Sequence, residues 1–168
     1  VLAVREDHRV NGEAETTLVG LGWPGTDGAG REVVLRRGAD FYANPTLSDD
    51  GRLAWLEWWH PAMPWDSTLL KVGRLDTQEW SVADVQLVAG RSGAWVDGVA
   101  VHHPRWSAAG TLVYTSDVSG YYQLAEWDGR GVRALHSDQA DFDLPMFVLG
   151  NHAHVDLDAK QILGWRLD

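Results

Sequence analysis

The sequence predicts an all-β fold made of repeated four-stranded antiparallel sheets, and three observations carry that prediction. No stretch holds the i, i+3, i+4 apolar spacing of an amphipathic helix over the roughly 12 residues that a stable helix needs. Short β-type runs recur instead, separated by Gly, Asp, Asn and Pro. The stretch "PTLSDDGRLAW" at 45–55 also returns 59 residues later, from Pro45 to Pro104, as "PRWSAAGTLVY". Pro45, Ser48, Gly51 and Leu53 fall on Pro104, Ser107, Gly110 and Leu112, and Trp55 falls on Tyr114. A weaker copy opens at Pro145 in "PMFVLGNHAHVDLD", without the Ser-x-x-Gly element. Repeats in this range mark solenoids, propellers or arrays.

In chain order, strands are expected at "VLAV" (1–4), "TTLVGLGW" (16–23) and "EVVLRR" (32–37). A second group is led by Pro45 and continues through "RLAWLEWW" (52–59), "TLLKVGRL" (68–75) and "VQLVAG" (85–90). A third comprises "GVAVHHP" (98–104), "TLVYTS" (111–116), "YYQLAEW" (121–127) and "VRALH" (132–136). "MFVL", "AHVDL" and "QILGWRL" close the chain. Each repeat is read as opening on a strand whose first residue is the proline, where no ladder N–H is needed. Four antiparallel strands per ~40–50 residues is the signature of a propeller blade.

The chain therefore reads as a single β-propeller section. It comprises a partial blade over 1–37, whole blades over 38–90 and 91–137, and a partial blade over 138–168. Closed propellers hold about 4 to 8 blades, so the section is expected to belong to a longer protein. Its open blade edges invite self-association. Trp55, Trp106 and Trp127 are expected to fill the wedge between blades rather than to stack on a base or sugar.

Composition narrows the function. With 14 Lys+Arg against 24 Asp+Glu and a net charge of −10, nucleic acid is not an expected partner. The absence of Cys excludes a disulfide framework, a thiolate metal site and a Cys nucleophile. It fits either side of a membrane, and a cytoplasmic location is the expectation. No apolar run approaches the ~20 residues of a spanning helix, so no membrane association is expected. The first residue is Val1 rather than Met, and the true N-terminus is expected to lie upstream.

Residues 38–72, "GADFYANPTLSDDGRLAWLEWWHPAMPWDSTLLKV", carry a resemblance. They are similar to the N-terminal β-propeller of bacterial prolyl oligopeptidase-family serine peptidases of the dipeptidyl/acylaminoacyl-peptidase type. That pattern runs Ser-Pro-Asp-Gly, a Leu-x-Trp strand, then His-Pro-x-Met-Pro-Trp-Asp. Here Asp49 replaces the first Pro, and Trp59 stands where Asp is common. "VHHPRWSAAGTLVYTSDVSGYYQLAEWD" (101–128) resembles the next blade, with Ser116, Asp117, Gly120, Tyr121 and Tyr122 matching its Ser-Asp-x-x-Gly and two aromatics. "LPMFVLG" (144–150) resembles a Pro-x-Trp-Val-Phe-Gly segment, with Phe147 and Leu149 substituted.

The resemblance implies a propeller that precedes an α/β-hydrolase domain carrying Ser, Asp and His. Its role there is to restrict access to the active site, admitting peptides and excluding folded proteins. The chain itself lacks the G-x-S-x-G nucleophile elbow. "GRSGAW" (90–95) and "SDVSGYY" (116–122) place Ser beside Gly without the spacing. No catalytic, cofactor-binding or metal-binding residue and no cofactor are therefore expected. The hydrolase domain and peptide substrates are the expected partners of the full-length peptidase. The alternative is a free-standing propeller that scaffolds partners or binds a ligand.

Four constellations merit individual readings. In "NHAHVDLD" (151–158), His152, His154, Asp156 and Asp158 would share one strand face. That row could hold a divalent metal, but the expectation is that Ala153, Val155 and Leu157 face inward and the polar set meets solvent. His102 and His103 are adjacent, so they are expected to point to opposite faces and to be structural. Glu57 lies between Trp55 and Trp59 on one face, without a second carboxylate at a fixed spacing to make it an acid catalyst. The insertion "HPAMPWDS" (60–67) is read either as a rigid loop packed on its own blade or as a functional element. In the second case His60, Met63 and Trp65 contact the hydrolase domain or rim the channel.

Overall fold

The computed structural model describes residues 1–9, 12–26, 28–93, 97–136, 138–148 and 150–167. Among them there are thirteen strands and no helix. β1 (Leu2–Asp7), β2 (Glu15–Leu21) and β3 (Glu32–Arg36) form a three-stranded sheet. β4 (Phe41–Leu47), β5 (Arg52–Trp58), β6 (Leu69–Asp76) and β7 (Ser81–Ala89) form a four-stranded one. A second sheet of four holds β8 (Val101–Trp106), β9 (Leu112–Ser116), β10 (Gln123–Trp127) and β11 (Val132–Ala134). β12 (His154–Asp156) and β13 (Ile162–Gly164) pair as a ribbon. Every sheet is an antiparallel meander in chain order. This is the arrangement of a partial propeller, with two whole blades flanked by two partial ones.

The inner strands β5 and β9 are buried on both faces, and the period of two along the strand distributes the side chains. On β5, Leu53 and Trp55 join Leu18, Leu35 and Tyr42 in the core toward the first sheet. Ala54, Leu56 and Trp58, alternating with them, join Val101, Leu112 and Tyr114 in the core toward the third. On β9, Val113 turns the other way, to Leu124, Ala140 and Phe142. A strand packed on both faces needs a continuous apolar run, which is why "RLAWLEW" does not alternate with polar residues. Trp55 and Trp127 are buried between sheets. The Trp106 indole donates across the seam to the Thr46 carbonyl (3.2 Å), beneath the Arg52 guanidinium, 4.3 Å from its ring centroid.

The Ser-x-x-Gly elements are the β4–β5 and β8–β9 turns, and they match atom for atom. Gly51 N donates to the Ser48 carbonyl (3.1 Å) and Gly110 N to the Ser107 carbonyl (2.9 Å). Both glycines hold positive φ, 84° and 77°, a conformation glycine adopts without the Cβ penalty. Arg52 Nη2 donates to the Gly110 carbonyl (2.8 Å), tying one turn to the other.

The prolines do not open their strands as expected. β4 begins at Phe41, Pro104 is the fourth residue of β8, and Pro145 lies in no strand. Pro45 and Pro104 sit instead at β-bulges, where the register shifts between Ala43 and Thr46 and between His102 and Arg105. A bulge leaves one residue out of the ladder, so a residue without N–H is tolerated there. The preceding residues, Asn44 and His103, take left-handed φ of 49° and 51°, which Asn and His adopt more readily than most side chains. "MFVL" is not a strand, and Leu149 lies outside the described residues, as do the last two residues of "GRSGAW".

Candidate functional site

Thr68 fixes the seam between the second and third sheets. Its fully buried Oγ1 accepts from Val101 N (2.6 Å) and donates to the Val101 carbonyl (2.8 Å). Thr68 N also donates to the Val99 carbonyl (3.1 Å). β8 is thereby stitched to the chain entering β6, directly after the 60–67 loop.

That loop does not pack on its own blade alone. The His60 ring meets Phe41 edge-on at 4.7 Å and pairs with Glu13 at 3.1 Å, while His60 N donates to Asp40 Oδ2 (2.9 Å). Trp65 packs on Phe147 with centroids 4.7 Å apart, and the Pro64 carbonyl lies 3.1 Å from His102 Nε2. Met63 is 46 % exposed, and the turn beneath it is held by Met63 N on Asp66 Oδ2 (2.9 Å). His60, Met63 and Trp65 are thus not gathered at one point. His60 faces the first sheet's side, Trp65 the segment following the third, and Met63 is half-exposed.

Glu57 is buried with both carboxylate oxygens engaged. Trp55 Nε1 donates to Oε2 (2.8 Å), and Lys71 Nζ lies 2.5 Å from Oε1. It borders a cavity of about 340 Å³ with Trp58, Lys71, Leu87 and Arg91. Both of its oxygens are thus committed to structural contacts, as a buried carboxylate requires.

The two adjacent histidines break the alternation on which their expected divergence rested. His103 Nε2 lies 3.3 Å from Asp143 Oδ1 and His102 Nδ1 3.3 Å from Asp143 Oδ2. All three residues are buried, and one ligand atom from each lies within 4.8 Å of the others. The left-handed turn at His103 within the bulge swings its ring to the same side as its neighbour's. Asp143 also accepts from Thr115 Oγ1 (2.5 Å) and Leu144 N (2.7 Å). Burial alone would raise its carboxyl, but the His102 and His103 rings and the Thr115 hydroxyl override that and hold it well below the usual carboxylate range.

The "NHAHVDLD" row is also rearranged. Ala153 is buried as expected, but so is His154, while Val155 and Leu157 are exposed. Both ring nitrogens of His154 are buried without a hydrogen-bond partner. Burial pushes the ring down to about 4, with the charges of Arg105 and His103 adding to the effect. His152 faces solvent, beside a cavity of about 210 Å³ that it shares with His103, Asp143, Asn151 and Trp165. Sequence reasoning missed Asp143 entirely, since no local spacing connects it to the histidine pair.

No protein-family model matches the chain, and no curated protein matches it by sequence. Solved structures do. A puromycin hydrolase superposes with a TM-score of 0.75. A Mycobacterium tuberculosis puromycin-hydrolyzing peptidase and a puromycin hydrolase mutant complexed with PGG each give 0.76. Each is 25 % identical over 91 % of this chain. The chain spans 23 % of the length of these proteins, so its partial propeller is similar in fold to about a quarter of a puromycin-hydrolyzing peptidase.

Proposed function

We propose that this chain is the non-catalytic propeller part of a prolyl oligopeptidase-type serine peptidase, which restricts what reaches a hydrolase domain carried elsewhere in the protein. The observation that carries the reading is its likeness over 91 % of its length to one portion of the puromycin-hydrolyzing peptidases. The motif at 60–66 and the absence of a nucleophile elbow in the sequence support it. The dipeptidyl or acylaminoacyl subtype is the finer part of this proposal, as is the gating itself. In it, Met63 reaches toward the hydrolase domain or the channel, while His60 and Trp65 brace the loop on either side.

An antibody raised against this chain should recover a native polypeptide several-fold longer than 168 residues. That polypeptide should label covalently with a fluorophosphonate on a serine outside these residues. Recovery of a native protein with no reactive serine overturns the reading and favours a free-standing scaffold. In the labelled protein, Met63→Ala should leave melting unchanged and alter the size range of peptides cleaved. An unaltered size range removes Met63 from the gate.

A further inference from the structure

We propose that His102, His103 and Asp143 form a binding site for a divalent transition metal ion of the zinc type, pinning β8 to the segment that follows the third sheet. His102 is engaged on both sides of its ring. Its Nε2 lies 3.1 Å from the Pro64 carbonyl, and a carbonyl only accepts, so Nε2 carries the hydrogen. Its Nδ1 is buried, 3.3 Å from an Asp143 carboxylate oxygen, and without a hydrogen bond. A cation seated between them takes both as ligands.

The surroundings suit a metal. A ligand imidazole whose other nitrogen donates to a backbone carbonyl is the usual outer-shell arrangement of a metal-binding histidine. Two imidazoles and one carboxylate are a donor set that suits zinc and its neighbours. His102 Nδ1 and His103 Nε2 each lie 3.3 Å from an oxygen of the one Asp143 carboxylate, and one ligand atom of each residue lies within 4.8 Å of the others. Asp143 is oriented by Thr115 Oγ1 and Leu144 N, so the carboxylate is held for its task. The cavity bounded by His103, Asp143, Asn151, His152 and Trp165 supplies a route for the ion and a fourth position for water. The bulge itself is shared architecture, since Asn44 holds the same backbone conformation one repeat earlier. What is particular to the third sheet is the imidazole placed on it.

That equivalence supplies a variant that should fold. His103→Asn puts at the bulge the residue type that already occupies it in the preceding repeat. Protein stripped with chelator should bind one equivalent of Zn²⁺ by calorimetry. Co²⁺ should give the intense visible bands of a four- or five-coordinate ion. His103→Asn and Asp143→Asn should each weaken Zn²⁺ binding by at least the roughly 10–100-fold already lost when an outer-shell partner is removed, and His103→Asn should retain the melting temperature of the metal-free protein. His136→Ala, which removes an exposed imidazole, should change nothing. Wild type that takes up no stoichiometric Zn²⁺ overturns the proposal, a proton then bridging the cluster. So does binding that His103→Asn leaves intact, or a pale octahedral Co²⁺ spectrum.

Discussion

His154 is 2 % exposed with neither ring nitrogen hydrogen-bonded, so a proton it accepts in the fold has no partner to share the charge. Its ring is pushed from 6.5 down to about 4. The folded chain therefore stays unprotonated at pH values where the unfolded chain already takes up a proton, and stability falls as the pH drops from 6.5 toward 4. Without bound metal, the single group should lower stability by about 2 kcal/mol between pH 7 and pH 5. Urea unfolding at the two pH values measures this, and His154→Phe should flatten the slope; an unchanged slope refutes the assignment. The groups that face His154 are Arg105, His103, Asp143 and His152. Asp143, held low, contributes stability above the ordinary carboxylate range that is lost only in stronger acid. His152, lowered in the same direction, adds a weaker slope of the same sign. The sequence showed these side chains but not their directions. Alternation along a strand assigns faces correctly only while the ladder is regular, and the bulge at His103 removed that condition for the pair. The repeat held the one available hint, because an Asn stands before Pro45 where a His stands before Pro104.

At the scale of elements, what was legible was what local chemistry decides. β5, β6, β9 and β10 fell where β-branched and aromatic runs meet turn residues, and the Ser-x-x-Gly turns formed where glycine can take a positive φ. The bulges were not legible, since they depend on the partner strand's register and not on the run itself. Residues 146–148 have strand composition but take no ladder partner among the described residues, so composition there decided nothing. Seams between sheets were equally hidden, because Thr68 and Val101 are 33 residues apart. Thr68→Val keeps the shape and removes both hydrogen bonds to the buried Val101 backbone. The cost should be about 3 kcal/mol, lowering the melting temperature by roughly 10 °C, while Thr68→Ser should retain most of the stability. Equal melting of the Val and Thr forms would show that the seam is held by apolar packing alone.

For the whole molecule, stability comes from sheets covered on both faces, and the coverage is uneven. The second sheet is flanked by two cores, whereas the β12–β13 ribbon leaves Val155, Leu157, Leu163 and Leu167 between 43 % and 59 % exposed. Val155 and Leu163 face each other across the ribbon in register, so their side chains form one apolar surface. In a propeller such a surface is covered by the next sheet; on its own the chain has a second copy of itself to use. Self-association that grows with concentration is the expected behaviour in sedimentation velocity. The variant that tests it carries Val155→Lys with Leu163→Glu. Opposite charges directly across the ribbon preserve the pairing, while the face becomes costly to bury unpaired. This variant should sediment as a monomer with an unchanged circular dichroism spectrum. Wild-type protein that stays monomeric at the highest attainable concentration refutes the self-association, and a variant that associates as strongly as wild type places the contact surface away from the ribbon.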